Sequence, residues 1–259
     1  MPAPARKRRS IILEQLNRHH SVRVADLSHH LGVSEVSIRR DLQVLEEDGL
    51  LRRVHGGAVA LENTSLETSL APQQILEYEK KERIGRAAAQ LVQPGESLIF
   101  DSGSTPLQVA CSLDGELLQS GNLTVITAYL PLMQVLGRWP GVHLIMLGGI
   151  YLPNYDILVG PQTIEQLKGL HADKVFLGAD GMTLSQGFTT ANVLEAEVDR
   201  TMVRAANEVI VVSDSSKIGG IGLASIMPVS GIDKLITDTD APADFVAALR
   251  DLGIEVILV

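Results

Sequence analysis

The chain of 259 residues predicts two fold classes in succession. An α+β module occupies 1–60, an α/β domain, Rossmann-like with a mostly parallel sheet, occupies 73–259, and 61–72 forms a linker between them. Three observations predict this division. Short helical stripes and a glycine hairpin fill the first part; the composition turns polar and loses periodicity from about Leu61 to Pro72; and short apolar strands then alternate with helical segments. With 45% hydrophobic and 20% charged residues, each part has the material for its own core.

Taken in order, Ile12 and Leu16 set the stripe of a first helix, and Leu27 and Leu31 that of a second. Gly32 suits a left-handed turn, and Ser34 is an N-cap directly before a third periodic stretch. There Ile38, Leu42 and Leu45 recur at i, i+4 and i+7 and face a core, and Asp48-Gly49 ends the helix. Residues 50–61 place apolar side chains on either side of Gly56-Gly57, the mark of a two-stranded hairpin. Helix, tight turn, helix and hairpin make a winged helix-turn-helix.

Beyond the linker an amphipathic stretch over 73–93 leads to Pro94-Gly95. Strands are predicted over 97–100, 123–127, 143–147, 174–177, 208–213, 234–237 and 255–258, with helices such as 106–113 and 193–206 between them. Alternation of this kind builds βαβ units and a parallel sheet covered on both faces.

No apolar run approaches the ~20 residues needed to cross a bilayer. The basic start is followed by only Ile11, Ile12 and Leu13, too short for a signal peptide, so the expectation is a cytoplasmic protein. A single cysteine, Cys111, excludes an internal disulfide and any Cys-rich zinc site, and is expected to be a small buried hydrophobe. His19-His20 and His29-His30 lack ligand spacing, so neither a metal nor a cofactor is expected.

The net charge of −9 speaks against a polyanion partner until it is divided. Residues 1–60 hold 10 Lys/Arg and 7 Asp/Glu, a balance of +3, while the remainder holds 12 and 24, a balance of −12. A basic module on an acidic body is a known arrangement, although an excess of +3 also arises by chance. At 100° per residue, Val36, Arg39, Arg40 and Gln43 fall opposite the buried stripe of the third helix. Arginine suits guanine or phosphate, glutamine suits adenine, and an exposed valine can meet a thymine methyl. The competing arrangement pairs Arg39 and Arg40 with Glu35, Asp41 or Glu47 on a solvated face. The turn chemistry at Gly32 and Ser34 and the adjacent Arg52-Arg53 wing favour DNA.

The run Gly32-Val33-Ser34, then Ile38-Arg39-Arg40-Asp41-Leu42, Leu45-Glu46, Gly49 and Arg53-Val54-His55-Gly56-Gly57-Ala58 resembles the N-terminal signature of the DeoR family of bacterial transcriptional regulators. Ser37 stands where that family usually has threonine, which keeps a hydroxyl for a phosphate contact. The resemblance implies operator DNA as partner, repression of carbohydrate genes, and a DNA-contacting set of Ser34, Val36, Ser37, Arg39, Arg40, Gln43, Arg52, Arg53 and His55.

In the second part an apolar strand runs into Asp101-Ser102-Gly103-Ser104-Thr105 just before Pro106 at a helix start. A small, hydroxyl-rich loop at a helix N-terminus can cradle a phosphate, though such clusters are also ordinary caps. A second strand ends in Ser213-Asp214-Ser215-Ser216-Lys217, which brings a lysine to the edge where open α/β sheets bind ligands. Both elements resemble the DeoR sensor domain, itself similar in fold to ribose-5-phosphate isomerases and related sugar-phosphate and CoA-transferase enzymes. That likeness implies a phosphorylated sugar effector held by Asp101, Ser102, Gly103, Ser104, Thr105 and Lys217, with Gly148, Gly149 and Asp180 lining the pocket and Glu195 and Thr127 beside them. Ala128 departs from the asparagine expected after Thr127.

The isomerases carry a Gly-Ala-Asp-Glu run, whereas here Gly178-Ala179-Asp180 is followed by Gly181. A binding protein without catalytic residues is therefore expected, and a sugar-phosphate isomerase-like enzyme with an accessory N-terminal module is the alternative, with Asp180 and Glu195 as the residues to suspect if turnover were found. One small module buries little DNA surface, so a homo-oligomer, dimer or tetramer, is expected on symmetric half-sites.

Overall fold

The computed structural model describes residues 8–9, 11–12, 15–16, 21–47, 51–54, 56–60 and 72–259. They form two compact units, 1–77 and 78–259. In the first, residues 8–9, 11–12 and 15–16 are helical. They are followed by β1 (Ser21–Arg23), α1 (Val24–Leu31), α2 (Glu35–Glu47), β2 (Leu51–Val54) and β3 (Gly57–Ala60). Gly32 caps α1 in the left-handed conformation, φ 63°, and donates its N–H to the Ser28 carbonyl. Ile12, Leu16, Leu27, Ile38, Leu42 and Leu45 are all buried in one core with Val22, Val24, Leu51 and Ala58, so the three helical stripes are where periodicity puts them.

The strand β1 is a correction to the predicted helices and hairpin. It pairs antiparallel with β3, giving a three-stranded sheet in the order β1-β3-β2. Gly57 makes this possible: a Cβ there would lie 2.1 Å from the Val22 carbonyl oxygen. The turn also falls one residue earlier than the Gly56-Gly57 pair implied, because Gly57 is already paired with Val54. Asp48-Gly49, His55 and most of the predicted linker lie outside the described residues.

In the second unit the chain runs α3 (Pro72–Ala89, which begins before the unit does), β4 (Ser97–Phe100), α4 (Ser104–Cys111), α5 (Gly115–Ser120), β5 (Leu123–Thr127), α6 (Leu130–Leu136) and β6 (Val142–Met146). Then come β7 (Ile150–Leu152), β8 (Ile157–Val159), α7 (Pro161–Lys168), β9 (Ala172–Leu177), β10 (Gly181–Thr183), β11 (Gly187–Thr190) and α8 (Val193–Arg204). The last elements are β12 (Ala206–Val212), β13 (Ala224–Met227), β14 (Lys234–Thr237), α9 (Ala243–Asp251) and β15 (Glu255–Leu258). Seven strands form one sheet in the order β15-β14-β12-β9-β4-β5-β6, parallel at every pairing. These are the seven predicted strands.

Alternate residues divide between two cores, as burial on both faces requires. Ile99, Ile126, Val175, Leu177, Val211 and Leu235 enter one; Leu98, Phe100, Val125, Phe176, Ile210 and Ile236 enter the other, where the Phe100 and Phe176 rings stack at 5.1 Å. The short antiparallel pieces β7-β8 and β10-β11-β13 were not foreseen, since three or four residues carry too little periodicity. Two further expectations are corrected. Cys111, the last residue of α4, is exposed rather than buried, and α4 starts at Ser104, so only Asp101, Ser102 and Gly103 form the loop.

From β4 the chain steps through β5 to β6 on one side, then returns to lay β9 against the other side of β4. The junction of β4 and β9 is thus the switch point of the sheet, where the loops after the two strands part and leave a crevice. At the opposite rim, Lys174 pairs with Glu96 and, at 3.9 Å, with Glu208, while Lys234 bridges Glu208 and Glu255 at 2.8 Å each. Those two carboxylates hold the Lys234 ammonium well above the usual lysine range. Among the described residues no helix is long and apolar enough to cross a membrane.

Candidate functional site

In the first unit, α2 buries Ile38, Leu42 and Leu45 and therefore turns Val36, Arg39, Arg40 and Gln43 outward. Val36 is 73% exposed, unusual for a branched apolar side chain in a helix that has a core to face. The helix entry is tied by serines: the Ser37 N–H donates to Ser34 Oγ at 3.4 Å, and the two hydroxyls lie 3.1 Å apart. The solvated-face pairing is realised in part, since Arg39 donates to Glu35 Oε2 at 2.6 Å with both groups about half exposed. It is not realised through Asp41, which is buried and taken by Arg8 and Arg9. On the wing, the Arg53 N–H donates to Glu46 Oε1 at 2.7 Å, which orients β2 against α2, and the Arg53 side chain remains exposed. The Arg52 side chain and His55 lie outside the described residues.

In the second unit, Asp101, Ser102, Gly103, Gly148, Gly149, Asp180 and Lys217 follow the C-terminal ends of strands and Thr127 closes β5, so the parallel sheet brings them to one rim. At the switch point, the Asp101 carboxylate accepts the Ser102 N–H at 2.6 Å and the Gly178 N–H at 2.9 Å, clamping the loop after β4 to the loop after β9. Ser102 Oγ donates to Glu195 Oε1 at 2.7 Å. Thr190 Oγ1 lies 2.9 Å from Glu195 Oε2 and 3.0 Å from Asp180 Oδ2, and the Ala191 N–H donates to that Asp180 oxygen at 2.9 Å. Asn192 caps α8 through the Leu194 and Glu195 N–H groups, which sets Glu195 at the mouth of the cluster.

Burial dominates the electrostatics. It pushes Asp101 up to about 7, helped by Glu195 and opposed by the two backbone N–H groups. It also raises Glu195 despite its hydroxyl donors, and raises Asp199 on the next turn of α8 well above the carboxylate range. Asp101, Ser102, Glu195 and Asp199 line a recess with room for about one water, together with Ala128, Tyr129, Ile157, Val159, Val198 and Met202.

The remaining nominated residues take distinct positions. Gly103 (φ 102°) and Ser104 are exposed at the start of α4, where the first N–H groups have no intrahelical acceptor, while Thr105 is buried. Thr127 is buried and donates Oγ1 to the Phe100 carbonyl at 2.9 Å, a structural link between β5 and β4. Gly148 is held by Gln166 and Thr163, and a Cβ on Gly149 would strike Thr163 Oγ1 at 2.1 Å, so that loop is tied to α7 rather than to the carboxyl cluster. Lys217 is half-buried on a 3₁₀ turn, and the chain after it folds back so that the Gly219 N–H donates to the Met182 carbonyl beside Asp180.

Sequence reasoning missed Asp199, Thr190, Lys80 and Lys81. Glu195, Val198, Asp199 and Met202 recur at i, i+3, i+4 and i+7, so an acid on an apolar stripe was the available signal for Asp199. Lys80 on α3 bridges Asp238 at 2.9 Å and Asp240 at 2.8 Å and donates to Ser215 Oγ at 3.3 Å. Lys81 lies 3.9 Å from Asp214.

The model of the DeoR-like helix-turn-helix domain matches residues 8–64, and that of the DeoR C terminal sensor domain matches residues 76–239. Over 255 residues the chain is 36% identical to a protein of Escherichia coli O157:H7 named for transcriptional repression of the aga operon, covering 98% of this chain and 93% of that one. It is 35% identical over 250 residues to the HTH-type transcriptional regulator GolR of Listeria innocua, covering 96% and 97%. The sorbitol operon regulator SorC from Klebsiella pneumoniae aligns over 93% of this chain and 97% of its own, with a TM-score of 0.44 and 12% identity.

Proposed function

Because this chain belongs to the DeoR family of transcriptional regulators, we propose that α2 and its wing read operator DNA through Ser34, Val36, Ser37, Arg39, Arg40, Gln43, Arg52, Arg53 and His55. The chain is a DNA-binding transcriptional regulator. The observation that carries the proposed interface is the outward set of Val36, Arg39, Arg40 and Gln43 on a helix whose opposite face is fully buried. That combination fits a helix in the major groove, where an apolar group and planar donors meet base edges.

The second unit binds a phosphorylated sugar at the switch-point rim. The N–H groups at the exposed start of α4 and the Lys217 ammonium supply the anion site, and Asp180 and Glu195 supply the sugar side. It acts as a sensor rather than an isomerase. Asp180 accepts the Ala191 N–H and Glu195 accepts the Ser102 hydroxyl, with the single Thr190 O–H between the two carboxylates, so both belong to a fixed hydrogen-bond arrangement. Ligand binding acts through the segment 73–93, since Lys80 and Lys81 tie α3 to the loop that carries Lys217. The working species is a homo-oligomer in the cytoplasm, a dimer or tetramer, matched to symmetric half-sites.

Mobility shifts on the DNA upstream of the protein's own coding sequence test the first reading. Retardation at low salt that a sugar phosphate reverses or strengthens is expected, and no retardation overturns it. Lys217→Ala is expected to abolish the sugar-phosphate response and leave operator binding intact; an unchanged response removes Lys217 from the site. Turnover of pentose or hexose phosphates above background by the pure protein would favour the isomerase instead.

A further inference from the structure

Among the described residues the three most exposed large apolar side chains are Leu223 at 79%, Val36 at 73% and Ile221 at 66%. Val36 belongs to the proposed DNA-reading face of α2. Ile221 and Leu223 lie between the 3₁₀ turn of Lys217 and β13, where neither DNA nor a phosphorylated sugar accounts for them.

Their exposure is built into the backbone. The Gly219 N–H donates to the Met182 carbonyl at 2.8 Å and the Gly222 N–H to Thr189 Oγ1 at 2.7 Å, which seats the loop on β10 and β11. Gly219 takes φ 87°, and a Cβ on Gly222 would lie 2.6 Å from the Thr190 carbonyl oxygen, so both points require glycine. With the backbone held this closely, Ile221 and Leu223, on either side of Gly222, project outward. Thr190 pairs with Ala224, so the residues after Thr190 run alongside Leu223 and lead into Val193 and Leu194, 51% and 39% exposed at the start of α8. Four aliphatic side chains from two chain segments thus make one patch. Apolar residues exposed singly need no explanation, but a contiguous set on a fixed seat marks an interaction surface.

Charge decides what covers it. Residues 61–259 carry a balance of −12, so two copies of this body repel one another over most of their surface. The segments that make the patch, 186–194 and 218–232, contain no charged residue. At its rim α8 presents both signs: an exposed Glu197, and Arg200, whose guanidinium donates to the Ser225 carbonyl. A two-fold arrangement sets a surface against itself, which a patch of one charge sign forbids and an uncharged centre with a mixed rim allows. A phosphorylated sugar, hydroxylated and charged, would lose hydration against such a patch without gaining hydrogen bonds.

We propose that Val193, Leu194, Ile221 and Leu223 form the centre of a self-association face, on which a second copy of this chain docks across a two-fold axis. The inference rests on the homo-oligomer reading above and adds which surface joins the copies.

The test is sedimentation velocity of the full chain over a range of concentrations, with circular dichroism to follow folding. Wild type should sediment as a dimer or tetramer. Ile221→Asp with Leu223→Asp places like charges across the contact and should lower the assembly by one step, tetramer to dimer or dimer to monomer, or weaken its association about 100-fold or more. Leu252→Asp makes the same kind of change at an exposed leucine beyond α9, on the rim of the strand starts, and should leave the assembly intact. Should the double aspartate variant not fold, Ile221→Ser with Leu223→Ser replaces it and should weaken association about tenfold or more. An oligomer unchanged in the folded double variant overturns the proposal, and a change confined to sugar-phosphate affinity assigns the patch to the effector instead. Equal loss of assembly in Leu252→Asp also overturns it. A wild type that is monomeric at every concentration overturns the homo-oligomer reading itself, and this inference with it.

Discussion

On the outward face of α2 the charged groups stand in water: among the described residues Arg39 is held by an exposed ion pair to Glu35, and Arg40 has no ion-pair partner. Around the end of β4 the charged groups lie inside: Asp101 and Asp199 are buried, and Asp101 holds two backbone N–H groups. Exposed pairs contribute little to folding, so the first surface can specialise without a stability cost. Buried carboxyls cannot be altered independently of the fold, because their protonation is itself a folding variable. The chemistry around the end of β4 is therefore linked to stability, and the chemistry of the proposed DNA-reading surface is not.

The largest expected expression of that difference is in pH. Asp101 rises from an ordinary value near 3.8 to about 7 on folding, and Asp199 and Glu195 shift the same way. Between those limits the folded state binds more protons than the unfolded one, so stability is full below about pH 4 and declines as pH rises toward 7. The decline attributable to Asp101 is at most about 4 kcal/mol. Asp238 and Asp173 shift downward and act with opposite sign, but only below their ordinary range. Thermal unfolding of the sensor unit from pH 4 to 8 should show a falling midpoint that Asp101→Asn flattens; a midpoint rising over that interval would break the comparison.

A smaller effect, on a different property, is expected from the double change Arg39→Ala with Arg40→Ala. Operator affinity should fall about 100-fold, on the basis of ~1–3 kcal/mol for each lost base or phosphate contact. Denaturant unfolding should move by less than ~1 kcal/mol. Parallel losses in both would mean that this surface, too, is tied to the fold. The smallest effect belongs to Glu35→Gln, which releases Arg39. Stability should change by no more than ~0.5 kcal/mol, while operator binding in mobility shifts strengthens about two- to fivefold at low salt and less at high salt.

The parts of the molecule that could be read from the sequence are those in which one periodicity decides the outcome. Ile38, Leu42 and Leu45 fix the orientation of α2, and with it the outward position of Val36 and the arginines. The seven central strands are visible because burial on both faces makes them nearly continuous apolar runs bounded by turns. The strand β1 escaped because it depends on a partner: Gly57 allows it only through the close approach of the Val22 carbonyl, which is a tertiary fact. Cys111 was misplaced by the general preference of cysteine for burial, which a helix end overrides. The site was half visible. Its loops carry recognisable turn chemistry, but Asp199 sits on an ordinary helix, and an acid among apolar positions gains its meaning only when the strand order places β4 beside β9.

The two rims of the large sheet differ in what they can tolerate. The rim at the strand starts is laced by Lys174, Lys234, Glu96, Glu208 and Glu255, which lock neighbouring strands in register. The rim at the strand ends carries loops whose backbones are set from below. A variant selected to answer a different small molecule should therefore gather its substitutions after β4, β6, β9 and β12 and along the inner face of α8, leaving the laced rim untouched. The sheet is in effect a fixed loom, with the pattern woven along one selvedge.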